Sequence, residues 1–518
     1  MLRPGRLASV VKQRQSFGPR TAVLASALLA SVFALLGSPV PAWGDPGLTT
    51  TYLHDDARDG FSAGESVITP ATVPSLALQW SANPGFPGGT TQPIDAAGVL
   101  YESDWGGTFH AISEATQSTL WTYGLGTPAS SCDNGNVGPD STPTVATVSG
   151  ASTVFVGGGT GQFVALNAAN GALLWQTQLA SSSAGFVWSS PLFYNGSIYI
   201  GLGSEGDCPL VPGELFRLDA ATGATEATLT TVPSGCTGAT IWSSPTIDDS
   251  NGAVFVDTGN GDGTCPEPEP YQEAMLRLDP STLAVEDGWQ TQPNSVAGDT
   301  DFGATPTLFT ATIGGQPVPM VGAVNKNGYY YAFRRDNLAA GPVWSQYFAT
   351  PGNPCVACNE TFVAPSAWDG SRLYVAGDAG QIDGNACAGS LSALDPDTGA
   401  PVWQDCLDSR VLAAVTSAPG IVEVNAGDQA MIMDAGDGQQ LFTYTEAASG
   451  NFFWGAAEIS NGVMYLYNLD GNLLAFSPGP PVGTPEAPMA LFLPVCGFVA
   501  AGGVVTVRRA RSKKPAAC

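Results

Sequence analysis

An all-β fold is predicted for this chain, an eight-bladed β-propeller of four-stranded antiparallel blades, and three observations carry the prediction. The 518 residues include 64 Gly and 40 Pro, a load that suits many short strands joined by tight turns. One unit recurs along the chain: a small-small-Pro start, a β-branched strand, a Gly turn, a second strand, then L-D-x-x-T-G and a last strand carrying Trp. The two ends complement each other. The final unit, GVMYLYNLDGNLLAFSPG, stops one strand short, and a matching Trp strand, LALQWSA, stands at Leu76–Ala82. If that strand completes the last blade, the ring closes and no sheet edge stays open.

Clear copies of the unit start at Ser141, Ser189, Ser243 and Ala364, and weaker ones near Gln92, Thr305, Ser417 and Trp454. That makes about eight units of roughly 40 to 60 residues, none able to bury both faces of its sheet alone. A two-domain sandwich is the competing fold. The unbroken repeat from Gln92 to Ser477 argues against it.

Outside the repeats, residues 1–44 read as a signal peptide, with Arg3, Arg6, Lys12, Arg14 and Arg20 ahead of the apolar run TAVLASALLASVFALLG and small residues at Ala42 and Gly44. Residues 45–477 form the expected exported part. Residues 478–486 are a Pro-rich spacer, and 487–507 are uncharged and about long enough to span a bilayer as a helix. The basic tail 508–518 follows, so the positive-inside rule keeps it cytoplasmic and leaves the propeller on the outer face of the membrane.

All 45 acidic residues fall between Asp45 and Glu486, against eight basic ones there, so this part carries a formal charge of −37. Nucleic acid is an unsuitable partner for such a surface. Eight of the ten cysteines lie in the same part, an even number that implies disulfides in an oxidising compartment. Nearness in sequence suggests pairing Cys387 with Cys406 and Cys208 with Cys236. Cys355 and Cys358 form a CxxC followed by Asn359 where a covalently attached haem needs His, and His54 and His110 lie far off, so neither haem nor zinc is implied.

The stretch Thr240–Gly261, TIWSSPTIDDSNGAVFVDTGNG, reads as the rim of a site: Trp242, a β-branched strand, then a Gly-rich turn bearing Asn260. Lys326, in NKNG, is the only lysine between the signal peptide and the tail, so it needs a specific reason to be there.

The repeat resembles the pyrroloquinoline quinone (PQQ) propellers, both quinoprotein alcohol dehydrogenases and polyvinyl-alcohol-dehydrogenase-like proteins. The opening YLHDDARDGFSAGESVITPATVPSLALQW is similar to the start of that family, and the likeness extends from Tyr52 to Ser477. It implies a PQQ-dependent alcohol dehydrogenase that oxidises an alcohol by hydride transfer to a metal-activated quinone. By that resemblance, Glu205 and Asn260 bind the metal, Trp242 is the floor on which the quinone stacks, and Asp299 and Asp301 supply the catalytic base. Lys326 contacts the quinone oxygens and Trp454 lines the pocket. The metal is Ca²⁺; with Asp301 as an added ligand it becomes a lanthanide.

Glu and Asn oxygens suit a hard cation, and a planar tricarboxylate needs a flat aromatic support. Where the family carries two adjacent cysteines over the quinone, this chain has Ser131 and Cys132. That lid cannot form, and Cys132 is expected to pair elsewhere, for instance with Cys265. Electrons would leave to a separate acceptor. The alternative is a non-catalytic propeller acting as a cell-surface binding or scaffold protein, since such proteins share these repeats.

Overall fold

The computed structural model describes residues 50–83, 88–128, 137–206, 209–261, 263, 265, 271–291, 300–349, 362–447 and 450–479. The signal peptide, most of the Pro-rich spacer, the expected membrane segment and the basic tail lie outside them. Among the described residues no helix is long and apolar enough to cross a membrane.

Eight antiparallel sheets are present, in chain order blade 1 (94–124), blade 2 (144–178), blade 3 (185–230), blade 4 (246–290), blade 5 (307–347), blade 6 (367–407), blade 7 (416–445) and blade 8 (458–478). Seven have four strands, and blade 3 adds a two-residue strand, Gly185–Phe186, beside its second long strand. Blade 8 takes its outer strand from Leu76–Ala82, which pairs antiparallel with Leu473–Pro478. The ring is therefore closed by the two ends of the propeller, as the sequence predicts.

The repeat motif has a direct structural cause. In each L-D-x-x-T-G, the Asp caps the turn: Asp219 Oδ1 accepts from the Thr222 amide at 2.8 Å and from its hydroxyl at 2.7 Å. The Gly that follows has positive φ, +72° at Gly223, and a Cβ there would stand 2.4 Å from the indole of Trp175 in the preceding blade. Trp175 in turn donates Nε1–H to the Ala220 carbonyl at 3.0 Å. The same Trp-to-next-blade bond recurs from Trp121 to Ala168, Trp344 to Pro396 and Trp403 to Ala435. Thus Gly and Trp, conserved in pattern along the chain, form one staple between neighbouring blades. The small-Pro starts do the same at the inner edge, where Ser244 Oγ accepts from the Ser190 amide at 2.8 Å and Thr305 Oγ1 from the Ser244 amide at 3.1 Å.

The segment 50–62, which has no repeat period, touches the inner edge of every blade. Its bonds run from Leu53 N to Gln92 Oε1 (2.9 Å), from Val145 N to Thr50 O (2.8 Å) and from Arg58 Nη2 to Pro191 O (2.9 Å). They continue from Ile247 N to Asp56 O (2.8 Å), Leu308 N to Ala57 O (3.1 Å), Trp368 N to Asp59 O (2.7 Å) and Ser417 N to Gly60 O (2.8 Å), ending with Ser62 Oγ to Ile459 O (2.6 Å). Arg58 is fully buried, and its guanidinium is surrounded by the carbonyls of Tyr52, Pro191 and Pro245. The family-like opening of the sequence is thus a hub that plugs the ring.

Two disulfides are described. Cys387–Cys406 joins neighbouring strands of blade 6, as expected. Cys236 pairs with Cys265, not with Cys208, and Cys265 is therefore not the partner of Cys132. The reason is local pairing: segment 236–240 runs beside 258–261, with Ala239 N donating to Asn260 O at 2.7 Å and Gly259 N to Thr240 O at 2.9 Å. Cys132 and Cys208 lie outside the described residues.

Candidate active site

Trp242 and Asp301 stand in the connections leading into blades 4 and 5, while Glu205, Asn260 and Lys326 follow the second strands of blades 3, 4 and 5. Both kinds of connection end on the same face of the ring. Three adjacent blades therefore deliver their loops to one place.

The indole of Trp242 is the centre of that place. A Cβ at Gly303 would fall 2.1 Å from its ring, one at Gly259 would lie 3.3 Å from its Nε1, and one at Gly203 would lie 3.3 Å from its Cβ. Glycines from blades 3, 4 and 5 thus clear the space the ring needs. Lys326 Nζ sits over the ring, 5.0 Å from its centroid, and bonds Asp301 Oδ2 at 3.0 Å. The Lys326 amide also donates to the Asp301 carbonyl at 2.9 Å. The pair is buried, Lys326 being 4% exposed and Asp301 5%. A buried, geometrically close ion pair of this kind holds both side chains in one arrangement.

A Cβ on Gly259 would lie 3.3 Å from both Trp242 Nε1 and Asp301 Oδ2, which places Asn260, the next residue, at the edge of the cluster. Glu205 follows Gly203 by two residues, is 4% exposed, and neither carboxylate oxygen finds a hydrogen-bond partner. A buried carboxylate without donors needs a cation or a proton. Its two open oxygens are of the type that suits a hard cation such as Ca²⁺, as is the amide oxygen of Asn260. Among the described residues, no three His, Cys, Asp or Glu side chains gather into a metal-binding group, so such a cation would depend on Asn260 and the acidic pair as well. Of that pair, Asp301 is placed here, while Asp299 lies outside the described residues, as does Cys132 at the missing lid.

Asp257 was not singled out in the sequence, although it is the D of VFVDTGNG. It is fully buried and accepts a hydrogen bond from the hydroxyl of Ser243, the residue after Trp242. Burial above all, with the Asp301 charge adding to it, holds its carboxyl well above the usual range.

Trp454 lies elsewhere on the same face, in the connection into blade 8. Its ring stacks near Phe452 (6.0 Å, 20°) and Trp105 (6.1 Å, 53°), and the Arg410 guanidinium lies 5.5 Å above it. Trp105 is fixed by Asp140, which accepts from its Nε1 at 2.8 Å and from Thr90. The structure places Trp242, Lys326 and Asp301 in direct contact and sets Trp454 in a second aromatic cluster built by blades 7, 8 and 1.

Such a ring of four-stranded blades with a loop-built side-chain cluster on one face defines a class of propeller proteins. A family model described as outer membrane protein assembly factor BamB matches residues 106–265 and 336–479, and one described as glucose/ethanol/alcohol dehydrogenase, beta-propeller domain, matches 216–345. The chain belongs to the PQQ-type β-propeller family.

A polyvinylalcohol dehydrogenase from a Pseudomonas species is 25% identical over 455 residues, 77% of this chain and 67% of that protein. The quinohemoprotein alcohol dehydrogenase of Comamonas testosteroni is 28% identical over 314 residues, 52% of this chain and 42% of its own length. The crystal structure of the Comamonas testosteroni enzyme superposes with a TM-score of 0.70 at 20% identity, over 85% of this chain and 82% of that one. A europium-containing methanol dehydrogenase superposes at 0.67 with 15% identity, over 84% and 98%. These superpositions establish the shared fold. The chain thus spans about two fifths to two thirds of the length of these two sequence relatives.

Proposed function

We propose that this chain is a PQQ-dependent alcohol dehydrogenase. The observation that carries the reading is the buried Trp242–Lys326–Asp301 cluster, together with a Glu205 carboxylate whose two oxygens are open, on the blade-3 loop two residues from Gly203. The relatives named as alcohol dehydrogenases support the same class. When bound, PQQ would accept the hydride of the alcohol carbon, helped by a cation that polarises its carbonyl.

The chain's own residues have separate tasks. Trp242 offers a flat face, locked by the glycines around it, on which a planar group can stack. Glu205 and Asn260 hold the cation, which is Ca²⁺ or, with Asp301 as a further ligand, a lanthanide. Asp299 and Asp301 supply the base that takes the hydroxyl proton, and the Lys326 ammonium orients Asp301 through its Oδ2. Lys326 also presents its charge toward oxygens of a ligand stacked on Trp242. The substrate is an alcohol and the electrons pass to a separate acceptor.

We further propose that the protein is exported and held at the outer face of the membrane by residues 487–507. The disulfides Cys236–Cys265 and Cys387–Cys406 suit an oxidising compartment. Fractionation of cells with protease shaving of the propeller tests this, and a propeller protected inside the cell would refute it.

The enzyme reading is tested by adding PQQ with Ca²⁺ or a lanthanide to the purified protein and following quinone absorbance and alcohol-dependent dye reduction. Both signals are expected. Their absence in folded protein would favour a non-catalytic scaffold instead, the reading favoured by the family model that matches residues 106–265 and 336–479.

A further inference from the structure

Arg410 is the cation that the site described above leaves unexplained. Eight basic residues serve a propeller with 45 acidic ones, so a carboxylate partner is easy to find. Arg217, Arg277, Lys326, Arg334 and Arg335 each have one within 3.3 Å. Arg410 has none within salt-bridge distance among the described residues. Among the described residues its Nη1 is shut off from water and has no hydrogen-bond acceptor, and the same holds for Nε1 of Trp454, over whose ring the guanidinium lies. Leaving such donors unmet is costly in a folded protein.

Position adds to the case. Arg410 stands in the connection into blade 7, and Phe452 and Trp454 in the connection into blade 8. Trp105 follows the second strand of blade 1 and is pinned by Asp140. All these connections open on the face that carries Trp242 and Lys326, on other blades of the ring. Two unmet donors beside a wall of aromatic rings match a carboxylate attached to an apolar or planar body. In so acidic a protein, such an anion is repelled everywhere except where a cation stands ready.

We propose that Arg410, stacked on Trp454, is the anchor for a ligand carboxylate at this face. The proposal rests on the dehydrogenase reading for the source of that carboxylate, which belongs either to the tricarboxylate cofactor or to a hydroxy-acid substrate.

The test uses the full-length protein, its Arg410→Gln and Arg410→Lys variants, and Ca²⁺. PQQ binding is followed by quenching of tryptophan fluorescence, in parallel with the trimethyl ester of PQQ. If the anchored group is the cofactor's, Arg410→Gln weakens PQQ binding on the order of tenfold to a hundredfold, Arg410→Lys recovers part of it, and ester binding is the same in all three. If it is the substrate's, PQQ binds equally well and Arg410→Gln raises KM for 4-hydroxybutyrate while KM for 1-butanol stays put. Unchanged PQQ binding together with unchanged KM for both alcohols overturns the proposal.

Should the natural protein bind no PQQ, the dehydrogenase reading fails by itself. Arg410 is then judged by the quenching preference for quinoline-2-carboxylate over quinoline: a preference lost in Arg410→Gln sustains the anchor, and no preference in the natural protein rejects it. Equal melting temperatures of the three proteins verify that the fold is intact.

Discussion

Two tryptophans on one face of the ring carry a cation over their rings, and the two cations have been treated differently. On the side of blades 3 to 5, Lys326 sits over Trp242 and is tied to Asp301 at 3.0 Å. On the side of blades 7, 8 and 1, Arg410 sits over Trp454 without a described carboxylate. A paired cation explains its own neighbour and holds a geometry. An unpaired one, in a surface so rich in acids, points outward to a ligand. On the proposed reading the two sides divide the work, one presetting the reactive centre and the other receiving an anion.

The largest expected effect breaks the paired side. Lys326→Met takes from the buried Asp301 the ammonium that bonds its Oδ2, and unfolding by denaturant should show a loss of about 3–5 kcal/mol. Adding Asp301→Asn to that variant should return much of the loss, whereas Arg410→Met alone should cost under about 1 kcal/mol. Comparable costs for Lys326→Met and Arg410→Met would erase the distinction between the two sides.

Next comes the bridge described on the Trp242 side. Replacing Cys236 and Cys265 by Ser removes a cross-link over 29 residues, with a loss of about 2–4 kcal/mol in the same assay. Because 236–240 runs beside 258–261, the loss should be accompanied by weaker Ca²⁺-dependent stabilisation. Replacing Cys387 and Cys406 in blade 6 should leave that Ca²⁺ effect as it is.

Acidity sharpens the comparison further, since each side has a buried acid whose carboxyl is held above its usual range, Asp257 on the Trp242 side and Glu423 in blade 7. Burial pushes Glu423 up to about 8 from an ordinary 4.5, against the favourable bond from Thr416. Between those values the folded protein keeps a proton that the unfolded chain releases, so stability falls as pH rises from about 4.5 to 8. By pH 7 the loss amounts to at most about 3 kcal/mol, and Glu423→Gln should flatten that slope in melting curves.

The last effect is the most local. Gly303→Ala drives a methyl into the Trp242 ring, costing about 1–2 kcal/mol and abolishing stacking of a planar ligand. Undiminished quinone quenching in that variant would remove Trp242 as the floor.

Much of this was legible in the residues. Leu76–Ala82 was recognisable as the missing strand of the last blade because its Trp fits a repeat whose staple is short-range: Asp caps Thr, Gly admits Trp. Trp242, Asn260 and Lys326 stood out because each breaks the expected chemistry of a turn or a composition. Asp257 did not, since a single Asp at a strand end looks like any turn residue until its burial is known. Arg410 did not either, because the absence of a partner is a property of space and not of sequence.

The sequence by itself determined the ring: its period, its strand order, its closure and the family to which it belongs, all of which follow from hydrogen bonds and packing repeated between neighbouring units. Tertiary structure alone decided which distant groups meet. Cys236 had Cys208 and Cys265 at almost equal distances along the chain, and backbone pairing beside Asn260 chose the latter. Segment 50–62 has no period to read, yet it satisfies the inner edges of all eight blades, because closing a ring gathers in one place backbone groups that are hundreds of residues apart.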